Sequence, residues 1–350
     1  MNREEKIKLF QDVFAPKSGE KVLFLVDTPH NDIKDTELWK ERREMAQEWF
    51  NIFKEIGAVT GFLVDIMEYE STGVHNAPLS EEILDDVRRF NLVIAMPEYS
   101  ITSSLRPICT DKNTITRCAS MPGVEKRMEE TALRANYAEI QKYAAALEKI
   151  FNKATGAEIT FSTGDTLYMD LRNRIAYSGA GDCTKTGQFI NLPSGEAFKP
   201  PYEATPEEIG EFGESKTKGV SPVIYNGELV KYIIRNNRII EVVGNGKKAE
   251  EMRNFFAEND TRRNIAEFAI GCNPKAVVTG NILEDEKAEG LHIAYGTSIF
   301  LGGKIQSDMH QDIVYTKGCP IEGTTITLII RDGSKIDLVE NAMLRYDLLK

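Results

Sequence analysis

An α/β N-terminal domain with a parallel-type sheet, followed by a β-rich α+β C-terminal domain, is the fold class that two features of this 350-residue chain predict. Up to about residue 155, short apolar runs alternate with segments of helical spacing, the order of a parallel sheet with crossover helices. From Glu158 onward the texture changes to short alternating strands separated by Gly and Asn turns. The boundary falls at Lys153 to Ala157, which gives domains of 1–155 and 156–350. With 41% hydrophobic and 28% charged residues, the composition supports two packed cores and argues against disorder.

Lys21 to Asp27 is a continuous apolar run ending in Asp27-Thr28-Pro29, so a buried strand followed by a loop is expected. Trp39, Met45, Trp49, Phe50 and Phe53 recur at helical spacing across Asp35 to Ile56, and Gly57 is the expected stop. Ala58 to Met67 supplies a second strand. Ser80 to Phe90 supplies a helix opened by a capping serine and two acids, and Asn91 to Met96 a third strand. A long helix is predicted from Glu125 to Phe151, after Pro122-Gly123. Farther on, Val220 to Tyr225, Leu229 to Arg235 and Arg238 to Val243 are strands joined by hairpin turns at Asn226-Gly227 and Asn236-Asn237.

Several function classes drop out early. The net charge of -11 disfavours nucleic acid and anionic membrane as partners, leaving a peptide or small molecule. No run approaches the roughly 20 apolar residues of a membrane span, and Met1 to Lys6 leads into an amphipathic stretch, so a soluble, cytoplasmic protein is expected. The five cysteines are scattered without C-x-x-C spacing and are expected to be reduced, structural thiols. The first strand lacks a following G-x-G-x-x-G, so no nucleotide cofactor is predicted, and His30 in that loop is read as a solvated histidine. The elbow of serine hydrolases and the H-E-x-x-H helix are also absent. Arg106, Arg117 and Lys126 flank the Ser/Thr-rich segment Ser100 to Ser104, which reads first as a solvated loop and second as a carboxylate-binding one.

Chemistry concentrates in the last third. His310-Gln311-Asp312 is an H-x-D pair that leads into Ile313-Val314-Tyr315. On a strand, residues i and i+2 share a face, so this imidazole and carboxylate form a two-ligand edge for a divalent cation. His292 stands in the glycine-bounded run Gly290 to Gly296. Glu196 follows the rigid Pro193-Ser194-Gly195 turn, and Glu267 lies in an almost uncharged apolar run, where an unpaired carboxylate would be costly to bury. The ordinary alternatives are a turn acid for Glu196 and a solvent-facing acid on an edge strand for Glu267.

Taken together, Pro193 to Glu196, Glu267 to Pro274, Gly290 to Gly296 and His310 to Asp312 resemble the M29, or aminopeptidase T, metallopeptidase family. The likeness extends upstream through Thr163-Gly164-Asp165-Thr166-Leu167 and is strong from about residue 158; Asp165 and Arg172 take supporting roles in it. The resemblance implies that Glu196, Glu267, His292, His310 and Asp312 hold a pair of divalent metals (zinc, cobalt or manganese). It also implies a homodimer and removal of N-terminal residues from peptides by a metal-activated water. Glu196 and Glu267 are then the candidate catalytic carboxylates, each either ligand or general base. Two departures stand out. The family's tyrosine seven residues after this histidine is Ile299 here, with Tyr295 and Tyr315 as the neighbouring candidates, and only 18 residues separate His292 from His310. The fold also resembles the 2,5-dihydroxypyridine dioxygenases, which implies an alternative: His292, His310 and Asp312 around one Fe(II). A third alternative is a non-catalytic homologue that binds a metal or ligand.

Overall fold

The computed structural model describes residues 1–350 and shows both the parallel sheet and the β-rich part that the sequence predicts. The chain forms two compact units that interleave in sequence: 1–141 with 179–194 and 274–284, and 142–178 with 195–273 and 285–350.

The first unit is built on a five-stranded parallel sheet in the order Leu63–Glu70, Lys21–Thr28, Leu92–Ala95, Arg117–Ser120, Phe189–Asn191. Its central strand explains the unbroken apolar run. Val22, Phe24 and Val26 pack with Phe10, Trp49 and Phe53 on one face, while Leu23 and Leu25 pack with Val93, Leu105 and Ile108 on the other. Where that strand ends, the buried Asp27 carboxylate accepts hydrogen bonds from Trp39 Nε1 (2.8 Å), Glu98 N (2.9 Å) and Ser71 Oγ (3.0 Å). It thereby pins the loops at the carboxyl edge of the sheet.

Three expected elements shift. The helix Glu37–Thr60 runs through Gly57 and stops only where Gly61 adopts a left-handed cap (φ 93°), so the second strand is Leu63–Glu70. Gly57 serves packing: a Cβ there would lie 2.6 Å from the Phe62 carbonyl oxygen. The predicted helix from Glu125 is two 3₁₀ turns, Lys126–Glu129 and Ala132–Arg134, followed by a helix only from Tyr137 to Lys153. Thr131 (ψ -115°) and the extended Ala135 break the helical path that the alanine spacing suggests. The Ser100 to Ser104 segment opens a helix, Thr102–Thr110. Arg117 is buried and donates to Glu20 and to the carbonyls of Phe14 and Cys183, and Lys126 pairs with Glu48 and Glu129. These two cations are committed to the packing.

The second unit contains two sheets. The larger has eight antiparallel strands in the order Arg238–Val243, Glu228–Arg235, Lys218–Tyr225, Thr166–Asp170, Ala154–Phe161, Gly323–Ile330, Lys335–Glu340, Met343–Leu344. Both predicted hairpin turns form, with Asn226, Asn236 and Asn237 at positive φ. The smaller has five strands in the order His310–Thr316, Gly290–Gly296, Ile265–Gly271, Glu196–Lys199, Tyr177–Gly179, and the first four pair antiparallel. One of its faces packs on aromatic neighbours: Tyr315 lies 4.7 Å from Phe161, Phe268 5.2 Å from Phe151, and Tyr295 5.9 Å from Tyr232, measured between ring centroids. No helix is long and apolar enough to cross a membrane. All five cysteines are free thiols, four of them buried.

Candidate metal centre

The opposite face of the smaller sheet carries the predicted residues. Strand Ile265–Gly271 is central, not an edge, and all of its residues are buried, so the solvent-facing alternative for Glu267 does not hold. In register, Ala294 lies between Glu267 on one neighbour and Asp312 on the other, His292 lies between Ala269 and Val314, and Gly296 lies opposite His310. Alternation therefore puts Glu267, His292, His310 and Asp312 on one face, and the small residues Ala269, Ala294 and Gly296 leave the volume between them open. Gly296 is required for a second reason. It adopts φ 105°, and a Cβ there would meet the Met309 carbonyl oxygen at 2.3 Å.

His310 Nε2 is 3.2 Å from Glu267 Oε2 and 3.3 Å from Asp312 Oδ1, while His292 Nε2 is 3.7 Å from Glu267 Oε1 and 3.4 Å from Glu196 Oε2. Each Glu267 oxygen thus faces a different imidazole. Separations near 3.3 Å are what ligands about 2.1 Å from a common cation adopt around a tetrahedron. His310 Nδ1 lies 2.9 Å from the Thr297 carbonyl oxygen, which only an Nδ1–H can satisfy, so the Nε2 lone pair is left for a metal. Both nitrogens of the buried His292, and Asp312 Oδ1, make no well-aligned hydrogen bond in the protein, although Nε2 and Oδ1 lie at ion-pair distance from Glu196 and His310. Buried polar atoms are rarely left so, and His292 Nε2 and Asp312 Oδ1, both directed into the cluster, fit a cation.

Two groups of donor atoms satisfy metal-ligand spacing, Glu267/His292/Asp312 and Glu196/Glu286/His292, with His292 common to both. With His310 beside Glu267 and Asp312, all five predicted residues lie in one cluster. Sequence reasoning missed Glu286 and Lys287. The fully buried Lys287 donates from Nζ to Glu196 Oε1 and to Glu286 Oε1. Both sit in the charged run Glu284 to Lys287, which by composition reads as a solvated turn. What draws that run inward is the close approach of backbone at Gly271, where a Cβ would come within 2.0 Å of the Ala288 carbonyl oxygen, together with a hydrogen bond from Asn273 N to Lys287 O.

The electrostatics follow from burial opposed by opposite charge. Burial disfavours the His292 cation, but Glu267, Glu196 and Glu286 outweigh it and raise its pKa to about 9. His310 is likewise lowered by burial and carried well above the usual range by Asp312 and Glu267. For Glu267, burial is overcome by the two imidazoles, which hold the carboxyl well below its usual range. Glu286 is raised by burial, against the pull of Lys287, to about 7. Without a cation the cluster is a set of imidazolium–carboxylate pairs.

Tyr295 and Tyr315 do not join the site. They project to the aromatic face, where Tyr315 shares a 2.7 Å hydrogen bond with Ser221. Ile299 lies in a 3₁₀ turn and is half exposed, and the adjacent Phe300 ring stands edge-on to His310 at 4.9 Å. Asp165 pairs with Lys231 and Arg172 with Asp170, and His30 bonds the Ser71 carbonyl oxygen from a loop.

No family model and no curated protein matches the chain. Among solved structures it is similar to 2,5-dihydroxypyridine dioxygenase from Pseudomonas putida KT2440, with a TM-score of 0.69 and 14% identity over 99% of this chain and 98% of that one. It is also similar to wild-type AmpT from Thermus thermophilus, with a TM-score of 0.61 and 15% identity over 98% of each. At such identities the likeness is one of fold.

Proposed function

We propose that the chain is a metal-dependent hydrolase of the aminopeptidase type, with Glu267, His292, His310 and Asp312 holding a divalent cation of the zinc, cobalt or manganese class. The observation that carries this is the convergence of these four side chains on one sheet face, with the Nε2 atoms of both imidazoles directed at the carboxylates of Glu267, Glu196 and Asp312. When bound, such a cation polarises a scissile carbonyl and lowers the pKa of a water. Glu267, with an oxygen toward each imidazole, acts as ligand. Glu196 has one oxygen tied to Lys287 and the other turned toward His292 Nε2 at the edge of the ligand cluster, so it is the general base that takes the proton from the attacking water and returns it to the leaving amine. Four carboxylates outweigh the charge of Lys287 and one divalent ion, and the remaining negative charge suits the cationic amino terminus of a peptide.

The alternative is a ring-cleaving dioxygenase, with His292, His310 and Asp312 around Fe(II). What favours it is the exposed apolar pair Ile299 and Phe300 beside His310, a surface for an aromatic ring. The excess of carboxylates counts against it, because a phenolate would be repelled. Protein stripped of metal and reloaded separately with Zn²⁺, Co²⁺, Mn²⁺ or Fe²⁺ separates the two. The hydrolase reading expects release of amino acid from short unblocked peptides and none from N-acetylated ones. Oxygen uptake with 2,5-dihydroxypyridine, in the absence of peptide cleavage, would sink it. His310→Ala should weaken metal binding at least about tenfold, and unchanged metal content would remove His310 from the ligand set.

A further inference from the structure

The two groups of donor atoms that share His292 differ in one respect. In the group Glu267/His292/Asp312, the atoms that face one another are carboxylate oxygens and imidazole nitrogens. In the group Glu196/Glu286/His292, a protein cation is already in place: Lys287 Nζ, with its side chain 1% exposed, bridges Glu196 Oε1 and Glu286 Oε1. A divalent ion bound by those carboxylates would sit about 2.0–2.2 Å from the oxygens, against the ammonium that now contacts the same atoms. No solvent reaches Lys287 to screen the repulsion.

Resting on the metal-site reading above, we propose that Lys287 takes the place of a second cation, so that the chain binds one divalent ion, in the group Glu267/His292/Asp312 beside His310, where the motif resemblance implies two. Lys287 then has two tasks in one position. It neutralises Glu196 and Glu286 when the site is loaded, and it holds Glu196 with one oxygen turned toward His292, 3.4 Å away, without recruiting that carboxylate as a ligand. The segment that carries it is fixed independently of any metal, by the hydrogen bond from Asn273 N to Lys287 O and by the contact that only a glycine at 271 permits.

The test is a count of ions. Wild-type protein, stripped with chelator and titrated with Co²⁺ or Zn²⁺, should hold one tight equivalent per chain by elemental analysis after desalting, and the Co²⁺ form should show the magnetic resonance signal of an isolated ion. Lys287→Ala, which frees both carboxylates, should hold two, with the signal broadened or lost through coupling. Glu286→Gln, at a partly exposed position outside the proposed ligand set, should keep one equivalent with affinity within about threefold of wild type, and it serves if Lys287→Ala does not fold. Two tight ions in the wild type would overturn the substitution of Lys287 for a metal while leaving the metal centre intact. One ion in a folded Lys287→Ala, or a loss of more than tenfold in affinity in Glu286→Gln, would overturn it as well. No ion in the wild type would remove this proposal and the metal-site reading together.

Discussion

Lowering the pH from 8 to 6 should weaken metal binding far more than ordinary histidine ligands would suggest, because the carboxylates that surround the imidazoles make protons strong competitors for the site. The His292 pKa is raised to about 9, so at pH 7 about 99 of 100 metal-free molecules carry that proton. His310 is shifted in the same direction, and a cation entering the site must displace both protons. Each displaced proton costs about tenfold in apparent affinity per pH unit below its pKa. Across two units the dissociation constant should therefore rise about a hundredfold through His292 alone, and further through His310. Glu267, held well below the usual range, contributes no proton in this window. Isothermal titration calorimetry with Zn²⁺ at pH 7, in buffers of differing ionisation enthalpy, gives the proton count directly, and between one and two protons per ion are expected. A count of zero with a flat affinity between pH 6 and 8 would refute the placement of the histidines in the ligand set. The metal-free protein should show the opposite dependence. A histidine whose folded pKa is raised contributes stability that is complete below about 6.5 and lost as pH rises through about 9, on the order of 3 kcal/mol for the buried His292. Metal-free protein should thus melt lower at pH 9.5 than at pH 6.5.

Two further substitutions check the framework around the site and in the first unit. Gly271→Ala would drive a Cβ to 2.0 Å from the Ala288 carbonyl oxygen and 2.8 Å from that of Glu286. A loss of about 2–4 kcal/mol and weakened metal retention are expected from urea unfolding and metal analysis, and wild-type values for both would contradict the packing described. Asp27→Ala strips the acceptor from Trp39 Nε1, Ser71 Oγ and Glu98 N at the carboxyl edge of the parallel sheet. It should destabilise the protein by about 3 kcal/mol, and a loss below 1 kcal/mol by urea unfolding would show that those donors find other partners.

What the sequence determined by itself was the kind of each layer and most of the residues that the fold gathers into one cluster. Periodicity is a local property: Lys21 to Asp27 is apolar throughout because helices cover both faces of its sheet, and His310 and Asp312 share a face because strands alternate. The Glu, His and H-x-D motifs could be recognised for the same reason, since each is a short stretch of one strand or turn. Tertiary structure decided the rest. Whether the helix stops at Gly57 or Gly61 depends on which glycine takes the left-handed cap and which packs on Phe62. The surroundings of Glu196 and Glu267 differ only once cross-strand register puts Glu267 between two imidazoles and Glu196 against an ammonium. Lys287 was beyond reach of local pattern altogether. A charged run reads as solvated until a glycine on another strand lets its backbone come inside, and that contact joins residues whose spacing in the chain carries no signal.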